Sequence, residues 1–392
     1  MRKTGENSRV SSQHNRGLIL KLIATGQCHS RIELAKETEL TKMTITNIVS
    51  EFRSNGIVVE AEERPNDVRG RNPITVEIAQ DAPKIIGVLL NTTYCEAVLC
   101  DLGLQILKRQ KVTFDQGLTE SKLIEEICSL IDEMLQDKKD IFGIGVASMG
   151  PMNINTGKIL NPPDFFGIQD VQLADQLRDR YQYPVIMDCD SNSAALAEAL
   201  YGAGRKEHDF VYLGIGDRIG SGVITQGDLF RNSKGYAPEI GHVCIRPHGT
   251  TCTCGNQGCL QAYAGIKTVL DKLRQVTGEE LSFHEFCERC SDEKVDTILT
   301  EMMDDLFIAL VSSINILHPE SIVLGDEGVH LPDKYLEYLE NLENQINTHK
   351  FVQGHTNITV KHAGFLKDAQ LVGAACNVIL QVFKGSLSFQ VK

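Results

Sequence analysis

The chain has no apolar segment long enough to cross a membrane as a helix. Such a helix needs about 20 consecutive apolar residues, whereas the longest candidate here is the short run Ile85–Leu90. The N-terminus, MRKTGENSRVSSQHN, also lacks the apolar core of a secretory signal peptide. These two absences predict a cytoplasmic protein that has no membrane partner.

Positive charge is scarce, since 39 Lys and Arg stand against 52 Asp and Glu, for a net charge of -13. Taken alone, this deficit disfavours a nucleic-acid partner. The charges are unevenly distributed, however: residues 1–75 contain 12 basic and 9 acidic residues, which leaves 27 and 43 for the rest of the chain. Any contact with DNA is therefore expected at the front of the chain.

The twelve cysteines are scattered, and in a reducing cytoplasm they are not expected to form disulfides. One Gly-rich stretch, residues 239–261, differs because it places His242, Cys252, Cys254 and Cys259 close together. Four protein ligands of this kind are typical of a structural zinc ion, whereas a catalytic zinc usually keeps one open position. The spacing therefore predicts a structural zinc site, with a disulfide or unligated thiols as the alternative.

Two polar residues flank these ligands, and both can bind hydroxyl groups. An imidazole that binds zinc through one nitrogen keeps its other N–H free to donate, so His242 is expected to contact the metal and a polyol at once. Glu239 can accept a hydrogen bond from a neighbouring hydroxyl, and Gln261 lies two residues after Cys259. The alternative for Glu239 is a solvated carboxylate.

The front of the chain has the pattern of a helix-turn-helix. After a polar segment, residues 1–14, that is expected to be flexible, apolar spacing predicts a first helix over Asn15–Thr25. Ser30 is a candidate cap of a second helix, and Thr41 is the candidate cap of a third that ends near Gly56. In a helix-turn-helix the second helix of the motif enters the major groove. The residues expected to contact phosphates or bases there are Thr41, Lys42, Thr44, Thr46 and Asn47.

Two alternating segments, Ile57–Glu60 and Ile74–Ile78, follow the third helix and predict a β-hairpin, or wing. Arg69 and Arg71 lie in the loop between them, where guanidinium groups can enter a minor groove or touch phosphates. Residues 15–79 are therefore predicted to form a winged helix-turn-helix DNA-binding domain. A protein-interaction module of the same shape is the alternative.

The motif E-I-G-H, followed by C-x-C-G-x-x-G-C at residues 252–259, resembles the signature of the ROK family, whose members are sugar-dependent transcription repressors and sugar kinases. From Lys84 onward strands and helices alternate, and the resemblance implies an α/β, two-lobe actin-like ATPase fold over 84–392. Lobe one is expected over about 84–197 plus the C-terminal helix, and lobe two over about 198–368. Family repressors act in pairs on near-palindromic operators, so a homodimer or homotetramer is implied.

Three stretches that bind the nucleotide in ROK kinases are altered here. Asn91–Tyr94 replaces an Asp-x-Gly-Gly-Thr turn, residues 216–222 read GDRIGSG in place of Gly-Thr-Gly-x-Gly-Gly-Gly, and residues 325–328 read GDEG. Carboxylates at such positions repel phosphate oxygens. The resemblance therefore implies a protein that is not an enzyme, and a sugar kinase with a regulatory DNA-binding arm is the alternative.

The stretches that bind the sugar in the family resemble the family pattern more closely than the nucleotide-binding stretches do. Asp190, within Asp188–Asn192, aligns with the general base of the kinases, and Asn161 precedes two prolines in a turn. The expected sugar contacts are Asp190, Glu239, His242, Gln261 and Asn161. Cys189 and Gln261 depart from the family's Asn and Glu, which leaves the identity of the sugar open.

Taken together, the motifs predict a repressor that binds operator DNA and a monosaccharide or sugar phosphate. Because some family members are controlled by a phosphotransfer protein instead of a small inducer, that partner is a third alternative.

Overall fold

The structure is a computed structural model that describes residues 8–62, 74–136, 140–232, 236–341, 351 and 357–387. Arg69 and Arg71, the two predicted wing contacts, lie outside the described residues. Within these ranges no helix combines the length and apolar character needed to span a membrane.

The front of the chain forms a winged helix-turn-helix, as predicted. Its elements are α1 (Ser8–Ala24), α2 (Arg31–Thr38), α3 (Lys42–Ser54), β1 (Val58–Glu62) and β2 (Ile74–Ile78). The two strands pair antiparallel, with Val58 opposite Ile78. This arrangement leaves the outer surface of α3 accessible beside the hairpin.

Side-chain caps begin both α2 and α3. The Ser30 hydroxyl oxygen accepts a hydrogen bond from the backbone N–H of Glu33 at 3.2 Å, and the Thr41 hydroxyl oxygen accepts one from Thr44 at 3.1 Å. Each cap satisfies an N–H group that the first turn of a helix leaves without a partner. Glu39 ends α2 in the left-handed conformation, with φ of 56°, so the chain turns sharply before α3 begins.

The first helix begins at Ser8, earlier than the Asn15 that apolar spacing predicted. The segment expected to be flexible, residues 1–14, is therefore helical from Ser8 onward. Polar contacts support the added turns: within α1 Arg16 donates to the carbonyl oxygen of Ser12 at 3.1 Å, and it forms a tertiary ion pair with Glu51 of α3 at 2.7 Å. Apolar spacing alone does not indicate a helical turn that is stabilised by polar contacts.

The body contains two five-stranded sheets of the same topology. The first has the strand order β5-β4-β3-β6-β9, in which β3, β6 and β9 run parallel and β4 and β5 form an antiparallel edge. Its elements, with the small hairpin β7–β8, are β3 (Lys84–Leu90), β4 (Tyr94–Cys100), β5 (Ile106–Thr113), α4 (Glu120–Leu135), β6 (Ile141–Ser148), β7 (Met152–Asn153), β8 (Lys158–Ile159), α5 (Leu173–Tyr181) and β9 (Val185–Cys189).

The second sheet repeats this order as β12-β11-β10-β13-β14. The remaining elements of this part are α6 (Asp190–Leu200), β10 (Phe210–Ile215), β11 (Ile219–Thr225), β12 (Asp228–Leu229), α7 (Gln261–Ala264), α8 (Ile266–Thr277), α9 (Phe283–Glu288), α10 (Glu293–Leu317), β13 (Ser321–Asp326), α11 (Asp333–Asn341) and β14 (Thr359–His362). Two lobes with one repeated topology are the actin-like ATPase architecture that the resemblance implied.

Two helices lie between the sheets, namely α6 and the C-terminal helix α12 (Ala369–Phe383). Helix α12 packs on β3 and β6 of the first sheet, α6 packs on β11 of the second, and the two helices pack on each other. A Cβ atom at Gly145 would lie 1.8 Å from the carbonyl oxygen of Ala374, and one at Gly373 would lie 2.3 Å from that of Ser193. Glycine is therefore required at both crossings.

The end of α12 also contacts the first helix of the winged helix-turn-helix. A Cβ atom at Gly17 of α1 would lie 2.0 Å from the carbonyl oxygen of Phe383, the last residue of α12. A Cβ atom at Gly385, just beyond the helix, would lie 2.6 Å from the carbonyl oxygen of Gln13. Helix α12 thus contacts the first sheet, the interlobe helix α6 and the winged helix-turn-helix.

We predict that Gly145→Ala destabilises the body by about 1–3 kcal/mol, because the added methyl group forces helix α12 away from the sheet. Gly103→Ala is the matched control, since a Cβ atom there meets only an Asp101 carboxylate oxygen, at 3.3 Å. Urea unfolding followed by circular dichroism compares the midpoints. Equal midpoints for the two variants would contradict the close helix–sheet contact.

Candidate functional site

A cleft of about 1020 Å³ lies between the two lobes. The turns that line it follow β3, β9, β10 and β13, so it lies where one end of each sheet faces the interlobe helices. All five predicted sugar contacts line this cleft, namely Asp190, Glu239, His242, Gln261 and Asn161. Residues far apart in the sequence are therefore brought to one concave surface.

The predicted metal ligands form one cluster at the wall of the cleft. One ligand atom each of His242, Cys252, Cys254 and Cys259 lies within 4.8 Å of all the others. The Sγ atoms of Cys254 and Cys259 are 3.8 Å apart, and Cys252 Sγ is 3.7 Å from His242 Nδ1. A tetrahedron with Zn–S bonds of about 2.3 Å and a Zn–N bond of about 2.0 Å has edges of about 3.5–3.8 Å. The donor set therefore fits a tetrahedral metal ion. The Sγ–Sγ distance between Cys254 and Cys259 is far longer than a disulfide bond of about 2.05 Å.

Glycine and a buried ion pair shape the loop that carries these ligands. Gly258 has a φ of 77°, and a Cβ atom there would lie 1.8 Å from the carbonyl oxygen of Arg246. Arg246 forms an ion pair with the buried Asp305 of α10 and lies over the ring of Tyr263, 4.3 Å from its centroid. The loop is thus fixed to the second lobe independently of any metal.

His242 joins the metal cluster to the cleft. Its Nδ1 atom faces Cys252, which leaves Nε2 as the ring nitrogen available to a ligand in the cleft. Burial, together with the nearby Arg218, lowers the pKa of His242. A neutral imidazole is the form that binds a metal ion, so this environment favours the predicted double role.

Asp190 and Glu239 are the two carboxylates among the predicted sugar contacts. Asp190 begins α6, where its Oδ1 atom accepts hydrogen bonds from the Ser191 backbone N–H at 2.7 Å and from the Ser191 hydroxyl at 3.1 Å. Its Oδ2 atom faces the guanidinium of Arg218 at 3.8 Å. Burial and the negative charge of Asp190 raise the pKa of Glu239, and Arg218 partly offsets them.

Arg218 is a cleft residue that the sequence patterns did not predict, because it lies in an altered phosphate loop and outside the sugar-binding motifs. The structure places it opposite both carboxylates and His242. The signal was available in the sequence: a long cation replaces a small residue in a Gly-rich loop.

The two predicted amide contacts, Gln261 and Asn161, differ in their hydrogen bonding and exposure. The Gln261 side-chain carbonyl oxygen accepts a hydrogen bond from the Ile219 backbone N–H at 3.3 Å, so its NH₂ group remains the part directed to a ligand hydroxyl. Asn161 is exposed at the rim of the cleft. Gln261 therefore also fixes the loop that precedes β11.

A buried ion pair beneath the cleft was also missed. Asp188 is 2% exposed at the end of β9 and accepts hydrogen bonds from the Cys189 backbone N–H at 2.7 Å and the Asn192 side chain at 2.9 Å. It also pairs with Arg231, which follows β12 of the second sheet. Burial raises the pKa of Asp188, and Arg231 offsets part of this effect. The pair thus connects the two lobes across the cleft.

Backbone donors in the altered phosphate loops are engaged internally. The Asn91 side-chain oxygen accepts from the Thr92 N–H at 2.7 Å, and the Gly216 N–H donates to the Arg218 carbonyl at 3.2 Å. Burial, followed by Glu327 and then Asp190, raises the pKa of Asp326 to about 6. Negative charge is therefore already crowded on this side of the cleft.

The predicted DNA contacts that the structure describes are the N-cap Thr41 and four residues in the first turns of α3. Lys42 and Asn47 are exposed, and Thr46 is half-buried. Thr41 and Thr44 bond each other through their hydroxyl groups at 3.0 Å in addition to the cap, so both have a structural role in starting the helix.

Comparison with known proteins supports this assignment of the fold. The putative xylose repressor of Caldicellulosiruptor sp. (strain Rt8B.4) is 26% identical over 393 residues, which cover 95% of this chain and 97% of that protein. A crystal structure of a ROK family transcriptional regulator, a homolog of the E. coli MLC protein, has a TM-score of 0.79 at 24% identity and covers 96% of this chain and 98% of its own. The ROK hexokinase from Thermus thermophilus has a TM-score of 0.64 at 26% identity and covers 76% of this chain and 99% of its own.

The family assignment rests on the extent of the match as well as on the motif. Residues 85–380 match the ROK family, and this range contains both sheets, the cleft and the His–Cys cluster. The chain therefore belongs to the ROK family.

Proposed function

We propose that this protein is a sugar-responsive transcriptional repressor of carbohydrate-metabolism genes. Its winged helix-turn-helix binds operator DNA, and a monosaccharide or sugar phosphate binds in the interlobe cleft. The observation that carries the proposal is the physical connection between the two: the helix that packs between the lobes, α12, also contacts α1 of the DNA-binding unit. A relative named as a repressor that matches nearly the whole chain supports it further.

The cleft offers complementary groups for a polyol. Asp190 and Glu239 accept hydrogen bonds from hydroxyl groups, whereas His242 Nε2–H and the Gln261 and Asn161 amides donate them. Sites built around such polar groups discriminate strongly among sugars, because a missing hydroxyl leaves a buried partner without its hydrogen bond. The set therefore provides specificity as well as affinity.

A structural zinc ion completes the proposed site. Three thiolates and one imidazole supply four protein ligands and leave no open position for a substrate, so the ion would stabilise the loop and orient His242. The contact of His242 with both the cluster and the cleft supports this role.

Ligand binding changes the affinity for DNA through movement of the two lobes. We assign residues 15–79 to DNA binding, 84–197 plus α12 to lobe one and 198–368 to lobe two, in a homodimer or homotetramer whose paired recognition helices match the two halves of an operator. A sugar that binds one lobe arrangement better shifts the equilibrium by its differential affinity, of order 1–3 kcal/mol in typical systems. A shift of this size changes the dissociation constant for DNA by about 5- to 150-fold.

One observation favours the sugar-kinase alternative: the carboxylate of Asp190 lies in the cleft. Against it, the N–H groups of Thr92 and Gly216 already have partners, and Asp326 and Glu327 occupy the third phosphate stretch. A nucleoside triphosphate would add several negative charges beside these carboxylates. We therefore propose that the chain is not an enzyme.

We predict that Asp190→Asn weakens the sugar response by about ten- to a hundredfold, since a hydrogen bond to a charged group contributes about 1.5–3 kcal/mol. Operator duplexes are selected from a random library and then titrated in mobility shifts against a sugar panel. Asp115→Asn is the control, because this side chain is 87% exposed and is not among those that line the cleft. Wild-type protein that binds no DNA under any sugar condition would refute the repressor assignment.

Natively purified protein is predicted to contain one zinc ion per chain by elemental analysis. Cys254→Ser is expected to lose the ion and to lower the melting temperature, because the four-ligand set is broken. Cys244→Ser is the matched control: Cys244 is exposed, lies in the same stretch and bonds the Gln257 carbonyl oxygen through its thiol. A metal-free native sample, or equal metal loss in both variants, contradicts the zinc site.

We predict no sugar-dependent ADP release from ATP in a coupled assay across the same sugar panel. The physical reason is that the N–H groups of Thr92 and Gly216 already donate within the protein and that Asp326 and Glu327 would repel phosphate. Sugar-dependent ADP release that Asp190→Asn abolishes would replace the repressor proposal with the kinase one.

A further inference from the structure

The outward face of α3 carries an apolar side chain that the predicted DNA contacts did not include. The helix packs on the core through Ile45, Ile48, Val49 and Phe52. With 3.6 residues per turn, the opposite face contains Met43, Asn47, Ser50 and Ser54. Met43 is 69% exposed and points away from the core near the start of the helix.

Exposure of one apolar residue is ordinary in a soluble protein. The inference therefore depends on where Met43 lies on α3. Met43 precedes Asn47 by one helical turn, and residues so spaced have Cβ atoms about 5–6 Å apart on one face. The N-terminal residues of a recognition helix are those that reach base edges. Met43 therefore lies where an apolar base feature would be contacted.

We propose that Met43 is a specificity-determining residue that contacts the 5-methyl group of an operator thymine, close to an adenine bound by Asn47. The thymine methyl group is the apolar feature of the major groove, and asparagine pairs with adenine through N6 and N7. Because successive bases rise by about 3.4 Å, the two contacts fall within about two base pairs of each other. The inference rests on the proposed function, since it requires that α3 enters DNA.

Charge favours DNA as the occupant of this face. Residues 1–75 carry a net charge of +3 while the rest of the chain carries -16, and the exposed Lys42 lies beside Met43. The N-terminus of α3 adds the positive end of the helix dipole. Together these charges attract a phosphate backbone and would repel a basic protein partner.

The test removes one methyl group from the DNA. Duplexes enriched by the wild-type protein from a random library are resynthesised with deoxyuridine in place of each thymine in turn, which deletes the 5-methyl group alone. At one thymine per half-site, the substitution is expected to weaken wild-type binding about fourfold, the effect of losing one buried methyl group. Met43→Ala is expected to bind the two duplexes equally, and Met43→Leu to keep the preference.

Ile32→Ala is the matched control, because Ile32 is 76% exposed but lies on α2, outside the recognition helix. It is expected to retain the full preference for thymine. Wild-type protein that binds thymine and deoxyuridine duplexes equally, or Met43→Ala that keeps the preference, would overturn the inference while leaving the repressor function standing. Failure of the wild-type protein to enrich any duplex would instead refute the proposed function on which the inference rests.

Discussion

The packing of α12 between the lobes is the contact on which the rest of the structure depends. At Gly145 and Gly373 the backbones approach so closely that a methyl group has no room, so this helix cannot move without moving the first sheet and α6. Helix α6 begins at Asp190 in the cleft, and the end of α12 meets Gly17 of α1. Packed interiors have discrete arrangements and resist continuous deformation, so a change at the cleft can alter the position of the DNA-binding unit.

The charges of the cleft support the proposal that it binds a sugar and no nucleotide. Arg218 lies among Asp190, Glu239 and His242 and balances part of the negative charge around these proposed polyol contacts. On the other side Asp326 shares its surroundings with Glu327, and its raised pKa reflects that crowding. In the proposed function the scaffold provides groups that bind hydroxyls, while the side that corresponds to the phosphate stretches of ROK kinases carries carboxylates that disfavour anions.

Features encoded within a short stretch could be predicted from the sequence, whereas features made by distant residues could not. The His–Cys cluster lies within 18 residues, and the cap residues Ser30 and Thr41 act on their own helices, so spacing was sufficient. The Asp188–Arg231 pair joins residues 43 positions apart in different lobes, and no local pattern connects them. The early start of α1 and the inward position of Arg218 likewise depend on tertiary contacts.

We propose that the interlobe cleft and the winged helix-turn-helix are energetically coupled through α12. Coupling between two sites is reciprocal, so a sugar that changes DNA affinity by some factor must have its own affinity changed by the same factor when DNA is bound. Isothermal titration of the effective sugar into the protein, with and without saturating operator duplex, measures this directly. We expect the two sugar dissociation constants to differ by the factor found for DNA, about 5- to 150-fold; identical constants would contradict the account.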